Sequence, residues 1–235
     1  MKLTILVTAV TSFFLNNDII AQKNVNTFEY SIETAHPNAK KLMAEDFYWS
    51  PIEETGPFGS DAGSDAAYGF KQWRSENKST SPITYLKELI ASWNLQTINW
   101  DELDTLKIKK YLTSQENLTE EKVQQKTREF KEMLKNSGDT SMNNIDDQKL
   151  QEMVKATSKQ MNGDYLLEQD NAIIGTGFAQ FVLEGKIDEN LQILTTTAIK
   201  RELLPLLINR YEKKYQATRK EQLTKMLHIV KKMNS

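Results

Sequence analysis

The stretch LLEQDNAIIGTGFAQFVLEG, residues 166–185, carries the strongest helical signal in the chain. Leu166, Leu167, Ile173, Ile174, Phe178, Phe181 and Val182 fall on one wide face at helical spacing. Gly185 supplies the stop, because glycine readily takes the left-handed conformation that closes a helix. Asp188 then offers a carboxylate oxygen to the free amides of a following helix, which carries Leu191, Leu194, Ala198, Ile199 and Leu203. Pro205 kinks or divides that helix, since proline brings no amide hydrogen to the ladder. Tyr211, Tyr215, Leu223, Met226, Leu227 and Val230 repeat at helical spacing to the C-terminal end.

Working back from this region, the same periodicity recurs. Pro37, after His36, opens a helix with Ala39, Leu42, Met43 and Phe47 on one face. Ser60 or Asp61 caps a helix running through Ala62, Ala66, Phe70 and Trp73. Ser81-Pro82 starts another, with a stripe of Tyr85, Leu86, Leu89, Ile90 and Trp93. A short helix is expected over 104–113. Thr119 caps the next, whose stripe is Val123, Thr127, Phe130 and Leu134. Leu150, Met153, Val154, Thr157 and Met161 mark one more, stopped by Asn162-Gly163. Period-two alternation is confined to a short run around Phe28, Tyr30 and Ile32. The pattern therefore predicts an all-α or mainly α fold, in which an irregular N-terminal helix-turn-helix packs on a C-terminal helical bundle. Residues 22–235 read as a single helical domain, with the loop at 136–144 as a candidate boundary.

The first 21 residues read as an export signal. Lys2 is followed by an uncharged apolar run from Leu3 to Leu15, and Ile19-Ile20-Ala21 precedes Gln22. The run is shorter than the roughly 20 apolar residues that a spanning helix needs. Cleavage is expected after Ala21, with periplasmic or secreted localisation and no membrane span in what remains. The alternative is retention as an N-terminal anchor. There are no cysteines, which removes disulfides, thiolate metal sites and cysteine nucleophiles. Charge is uneven: Glu29 to Asp65 holds eight acidic and two basic residues, and Lys200 onward holds ten basic and three acidic. The basic end reads as a solvated helix face complementing the acidic N-terminal part of the same molecule, and no nucleic-acid partner is expected.

Common catalytic constellations find little support. Only His36 and His228 are present, and no Gly-x-Ser-x-Gly elbow occurs. Gly175-Thr176-Gly177 lacks the third glycine of a dinucleotide fingerprint and follows no strand. Its glycines are expected to let a neighbouring helix approach closely.

The segment from Asp46 to Trp73 differs in character from the rest. Carboxylates at Asp46, Glu53, Glu54, Asp61 and Asp65 lie among Tyr48, Trp49, Phe58, Tyr68 and Trp73, and Pro51, Gly56, Pro57 and Gly59 force turns. Three readings follow. The carboxylates converge on a hard cation, although Asp61 to Asp65 lacks the ligand alternation of an EF-hand loop. The aromatics form a recognition surface. Or the segment is a joint, with Asp61 capping a helix, Asp65 bonded to backbone or to Arg74, and Trp49, Phe58 and Trp73 in the core.

Trp49, Gly56, Pro57, Phe58, Gly59, Ser60, Asp61, Asp65 and Phe70 also resemble the motif of a bacterial family built on a domain of unknown function. Its members carry Trp, Gly, then Phe, Asn/Asp-Asp, Ala and Asp-Phe/Trp. Asp170-Asn171-Ala172 leading into an apolar helix and Gly185 fits the same family. So does the run from His36-Pro37-Asn38-Ala39 through Asp46-Phe47-Tyr48-Trp49-Ser50 to Gly69-Phe70, which resembles one of its subgroups. Here Ser50 to Thr55 is inserted between the Trp and the Gly. The resemblance implies a helical fold and transfers no activity.

The sequence thus points to a non-enzymatic binding or protein-interaction module acting through Asp46, Trp49, Phe58, Asp61, Asp65 and Trp73, with a cell-envelope protein as the partner class. No catalytic residue, metal ligand or cofactor is assigned. The alternative is a carboxylate-based, divalent-metal-dependent enzyme.

Overall fold

A computed structural model describes residues 30–114, 119–136, 146–158 and 162–235. The segment read as an export signal and most of the 136–144 loop lie outside them. The described residues contain α-helices and no strand, so the all-α expectation holds. In chain order the helices are α1 (Pro37–Leu42), α2 (Asp61–Glu76), α3 (Pro82–Ser92), α4 (Thr105–Thr113), α5 (Glu120–Asn136), α6 (Asp147–Ser158), α7 (Asn162–Glu184), α8 (Glu189–Glu202), α9 (Pro205–Ile208) and α10 (Lys213–Val230). Tyr30 to Ile32 is irregular, and Lys23 to Glu29 lies outside the described residues.

The chain falls into two compact units, one of Asn26–Lys109 with Leu166–Ser235 and one that holds Lys110–Tyr165. In the smaller unit α5 and α6 pack on each other and bury Val123, Thr127, Phe130, Leu150 and Val154. The pairs Lys131–Asp147 and Glu120–Lys155 run across them in antiparallel order. Both pairs are exposed, so the apolar stripe carries the packing. Asn162 and Gly163, expected as a helix stop, instead open α7. The Asn162 amide donates to the Tyr111 carbonyl at 2.8 Å and to the Ser114 hydroxyl at 2.9 Å.

In the larger unit α7 is the axis. Every residue from Gln169 to Val182 is buried. A helix buried on every side has no solvent face to offer, and polar residues such as Asp170 are enclosed with it. The enclosure is built from small residues. A Cβ on Gly175 would stand 2.5 Å from the Gly63 carbonyl oxygen and 2.9 Å from its Cα, so α2 crosses α7 in near backbone contact. A Cβ on Gly177 would meet the Thr195 side chain of α8. The glycine pair read as a helix-approach device is one. Gly185 closes α7 at φ +69°, with its amide donating to the Phe181 carbonyl at 2.9 Å. The His36 ring lies against it, and the His36 Nδ1 accepts from the Asn38 amide at 3.2 Å to start α1.

The remaining caps follow the sequence with one difference. Ser81, Asp188 and Pro205 act as expected. The first helix is shorter than its stripe predicts: it ends at Leu42, and Phe47 lies in a separate 3-10 turn, Asp46–Tyr48. The Met43 carbonyl that would continue the ladder instead accepts the Trp49 indole N–H at 2.8 Å. Ser60, one of the two residues offered as the cap of α2, is that cap, accepting from the Gly63 amide at 3.1 Å, and Asp61 takes the first helical position.

Gly175→Ala sets two effects against each other. Helix propensity favours alanine by about 1 kcal/mol. The intruding methyl meets backbone, which cannot rotate aside, and overpacking of this kind costs about 1–3 kcal/mol. Urea unfolding is expected to show net destabilisation for Gly175→Ala and a change within about 0.5 kcal/mol for the exposed Ser64→Ala.

Candidate functional site

The chain from Met43 to Asp65 has little regular structure, yet it is pinned at several points. Trp49 is tied to Met43 through its indole. The Gly56 amide donates to the Glu53 carbonyl at 2.7 Å, and the Thr55 hydroxyl donates to the Glu53 carboxylate at 2.7 Å. A Cβ on Gly59 would collide with the Glu53 backbone, and one on Gly56 with the Phe47 carbonyl, so the turn closes on itself at these two glycines. Phe58 is buried and stacks on Tyr30, with ring centroids 4.4 Å apart. The Tyr30 and Tyr85 hydroxyls donate to the adjacent carbonyls of Ala67 and Ala66 on α2. Burial raises both phenols far above their ordinary range.

The structure does not gather the six residues singled out in the sequence into one cavity. Phe58 is core. Trp49 is half-buried, with its one polar atom already used. Trp73 is half-buried beside Phe70 and Tyr85, at centroid distances of 6.1 and 5.6 Å. Asp46, Asp61 and Asp65 are exposed. Asp61 and Asp65 share a face of α2. The Asp65 carboxyl is raised, first by desolvation and then by the charge of Asp61. Arg74, considered as its partner, pairs instead with Glu184 at 2.8 Å and donates to the carbonyls of Asn77 and Thr80. Among the described residues no three Asp, Glu or His side chains are grouped to hold a metal ion. What the turn offers to solvent is the peptide between its pins: Ile52, 87% exposed, followed by the exposed Glu54.

Beneath the turn lies a cluster that residue patterns did not single out. Arg219 of α10 is buried; its Nη1 donates to the Thr55 carbonyl at 3.3 Å and its Nη2 meets Glu202 at 3.3 Å. Glu202 is buried as well, and its charge adds to the rise of the Asp170 carboxyl. Asp170 sits mid-way along α7 and is paired with Arg201, both side chains at zero exposure. The Arg201 Nε reaches both Asp170 oxygens, at 3.2 and 3.0 Å, and Nη2 reaches one of them as well. Its Nη1 donates to the carbonyls of Trp100 and Glu102 at 3.1 and 3.0 Å. The only sequence hint was an Asp inside an otherwise apolar helical face, with Arg201 and Glu202 one chain turn before a proline.

The expectation that the basic C-terminal helix complements the acidic N-terminal part is met at one ion pair, and a second basic residue holds backbone there. Lys225 pairs with Glu45 at 2.6 Å and lies over the Phe47 ring, and Arg219 holds Thr55. No family model, curated protein or solved structure matches the chain, so its site is read from its own geometry.

A buried ion pair is worth little against a well-packed apolar pair, but losing one partner leaves a charge stranded. Arg201→Met and Asp170→Leu are each expected to destabilise by about 3–5 kcal/mol. The double variant should fall short of their sum by about 1–3 kcal/mol in urea unfolding. Strict additivity would show that the two groups do not depend on each other.

Proposed function

We propose that this protein is an exported, non-enzymatic binding module that recognises a partner protein through the turn between Asp46 and Asp65 and the adjoining face of α2. The observation that carries the reading is Ile52, a large apolar side chain at 87% exposure on a turn pinned at both ends. Apolar residues exposed singly are ordinary on protein surfaces. A pinned tip differs because little conformational freedom is left to lose on association. Function also concentrates on loops held by a rigid scaffold.

The charge around the tip defines the partner's chemistry. No Lys or Arg lies between Lys41 and Lys71, whereas Asp46, Glu53, Glu54, Asp61 and Asp65 do, and Glu45 beside them is already paired with Lys225. The complementary surface is an apolar pocket ringed by basic side chains, and electrostatic complementarity of this kind speeds encounter and selects partners. Trp49 and Phe58 serve by holding the turn, Trp73 by backing α2. Kinship with the family whose motif the turn resembles belongs to the same proposal, as does a cell-envelope partner, which export would place within reach.

A photo-crosslinking side chain in place of Ile52 is expected to give one saturable adduct in the native cell envelope, lost on adding Glu54→Lys. The same probe at Ile193, an exposed position on α8, should not give it. Identical adducts from both positions would defeat the reading. Export is supported by residues 1–21 alone, and mass spectrometry of the protein from its own cells should find an N-terminus at Gln22. A chain that retains Met1 would contradict cleavage.

A further inference from the structure

The apolar stripe of α10 outruns the body that covers it. Leu223 and Met226 are enclosed, and Arg219 is buried one turn before Leu223. Tyr215 lies one further turn back on the same face, four residues before Arg219. There it stands 53% exposed. Around it, α10 begins with bases where a helix ordinarily begins with acids. Lys213 and Lys214 open its first turn, which holds no acidic residue, and Lys214 lies over the Tyr215 ring at 4.6 Å. Positive side chains at the positive end of a helix cost stability, and an anion brought to them offsets that cost. Glu212, just before the helix, pairs with Lys214 at 3.2 Å and leaves Lys213 without an ion pair.

Tyr215 with these lysines is an apolar surface ringed by bases, and it lies beside the acidic turn. The Arg219 guanidinium joins the two. Its Nη1 donates to the Thr55 carbonyl at 3.3 Å, and it lies 5.6 Å from the ring of Tyr211, just before α10. Residues 46–65 carry five carboxylates and no Lys or Arg. Among the described residues the ion pairs of α10 run to Glu212, Glu202, Glu45 and Glu221, and none runs to those five. An acidic lobe and a basic lobe thus stand side by side, each with charge left unmatched. Ile52, at 87% exposure, leaves the Tyr215 of its own chain open.

A patch with lobes of opposite charge on its two sides complements itself when turned through half a revolution, which is what an isologous two-fold contact requires. We propose that the partner recognised by the turn is a second copy of this chain, bound about a two-fold axis, with Ile52 of each copy seated on Tyr215 of the other and the carboxylates of each turn facing the lysines that open the other α10. The inference rests on the reading of the turn as a binding surface and names its partner. The contact occurs twice across the axis, so any attraction or repulsion introduced there counts twice.

Sedimentation velocity of the purified full chain is expected to show a monomer–dimer equilibrium that shifts toward monomer as salt is raised. Glu54→Lys sets like charges at both contacts, and so does Lys213→Glu. Each variant alone should stay monomeric at concentrations where the unaltered chain is dimeric. Mixed in equal amounts, the two should dimerise again, because unlike charges then face each other at both contacts. Both positions are exposed, and unchanged helical circular dichroism checks that the variants fold. A mixture that stays monomeric while the unaltered chain dimerises would overturn the two-fold arrangement, as would growth of the unaltered chain beyond a dimer. An unaltered chain that is monomeric throughout would overturn the second copy as partner. The crosslink from Ile52 then separates the two readings: an adduct with a different protein leaves the turn a binding surface, and no adduct removes that reading as well.

Discussion

The larger unit of this protein depends on one neutralised charge. Its axial helix has no solvent-facing residue from Gln169 to Val182, yet it contains Asp170. A carboxylate in such a place is tolerable only with a partner and with its oxygens hydrogen-bonded. Arg201 supplies both, and the requirement propagates. Arg201 must come from the end of α8, so α8 must return along α7. The proline break after Glu202 then turns the chain into α10, which delivers Arg219 under the turn. The buried cluster is thus a register mark as much as a source of stability. Apolar packing alone would allow α8 to slide along α7, whereas a bidentate pair at zero exposure has one position.

Periodicity read the elements well because most of them obey a single rule. Ser81-Pro82, Asp188, Pro205 and Gly185 each act within one turn of chain, and each does in three dimensions what its residue type does locally. The misreadings occurred where a distant side chain competed with the ladder. The Trp49 indole takes the Met43 carbonyl and ends α1 early, and no feature of residues 37–43 announces that. Asn162-Gly163 has the composition of a helix end, but its amide is drawn to Tyr111 and Ser114, and it begins a helix.

The candidate site was legible as a place and not as an arrangement. Density of aromatics, glycines and carboxylates located the turn. The sequence could not show that Phe58 would be spent on Tyr30, or that Ile52, the plainest residue in the segment, would stand at the tip. It could not show Arg219 either, since a residue more than 160 positions along the chain carries no local signal of holding Thr55. The same contacts that make the segment a joint, at Met43, Glu53, Gly59 and Arg219, are what make its exposed peptide a rigid surface.

The account stands or falls on whether the charges of this cluster are sealed together in solution. Hydrogen exchange of the Arg201 Nε–H, followed by nitrogen-15 NMR, reports on that bond alone. The structure predicts exchange as slow as that of the α7 core amides, because both protons are reached only through the global opening of the unit. Exchange as fast as that of the exposed Arg128 would mean that water reaches Asp170 in the folded state, and the central constraint would be lost.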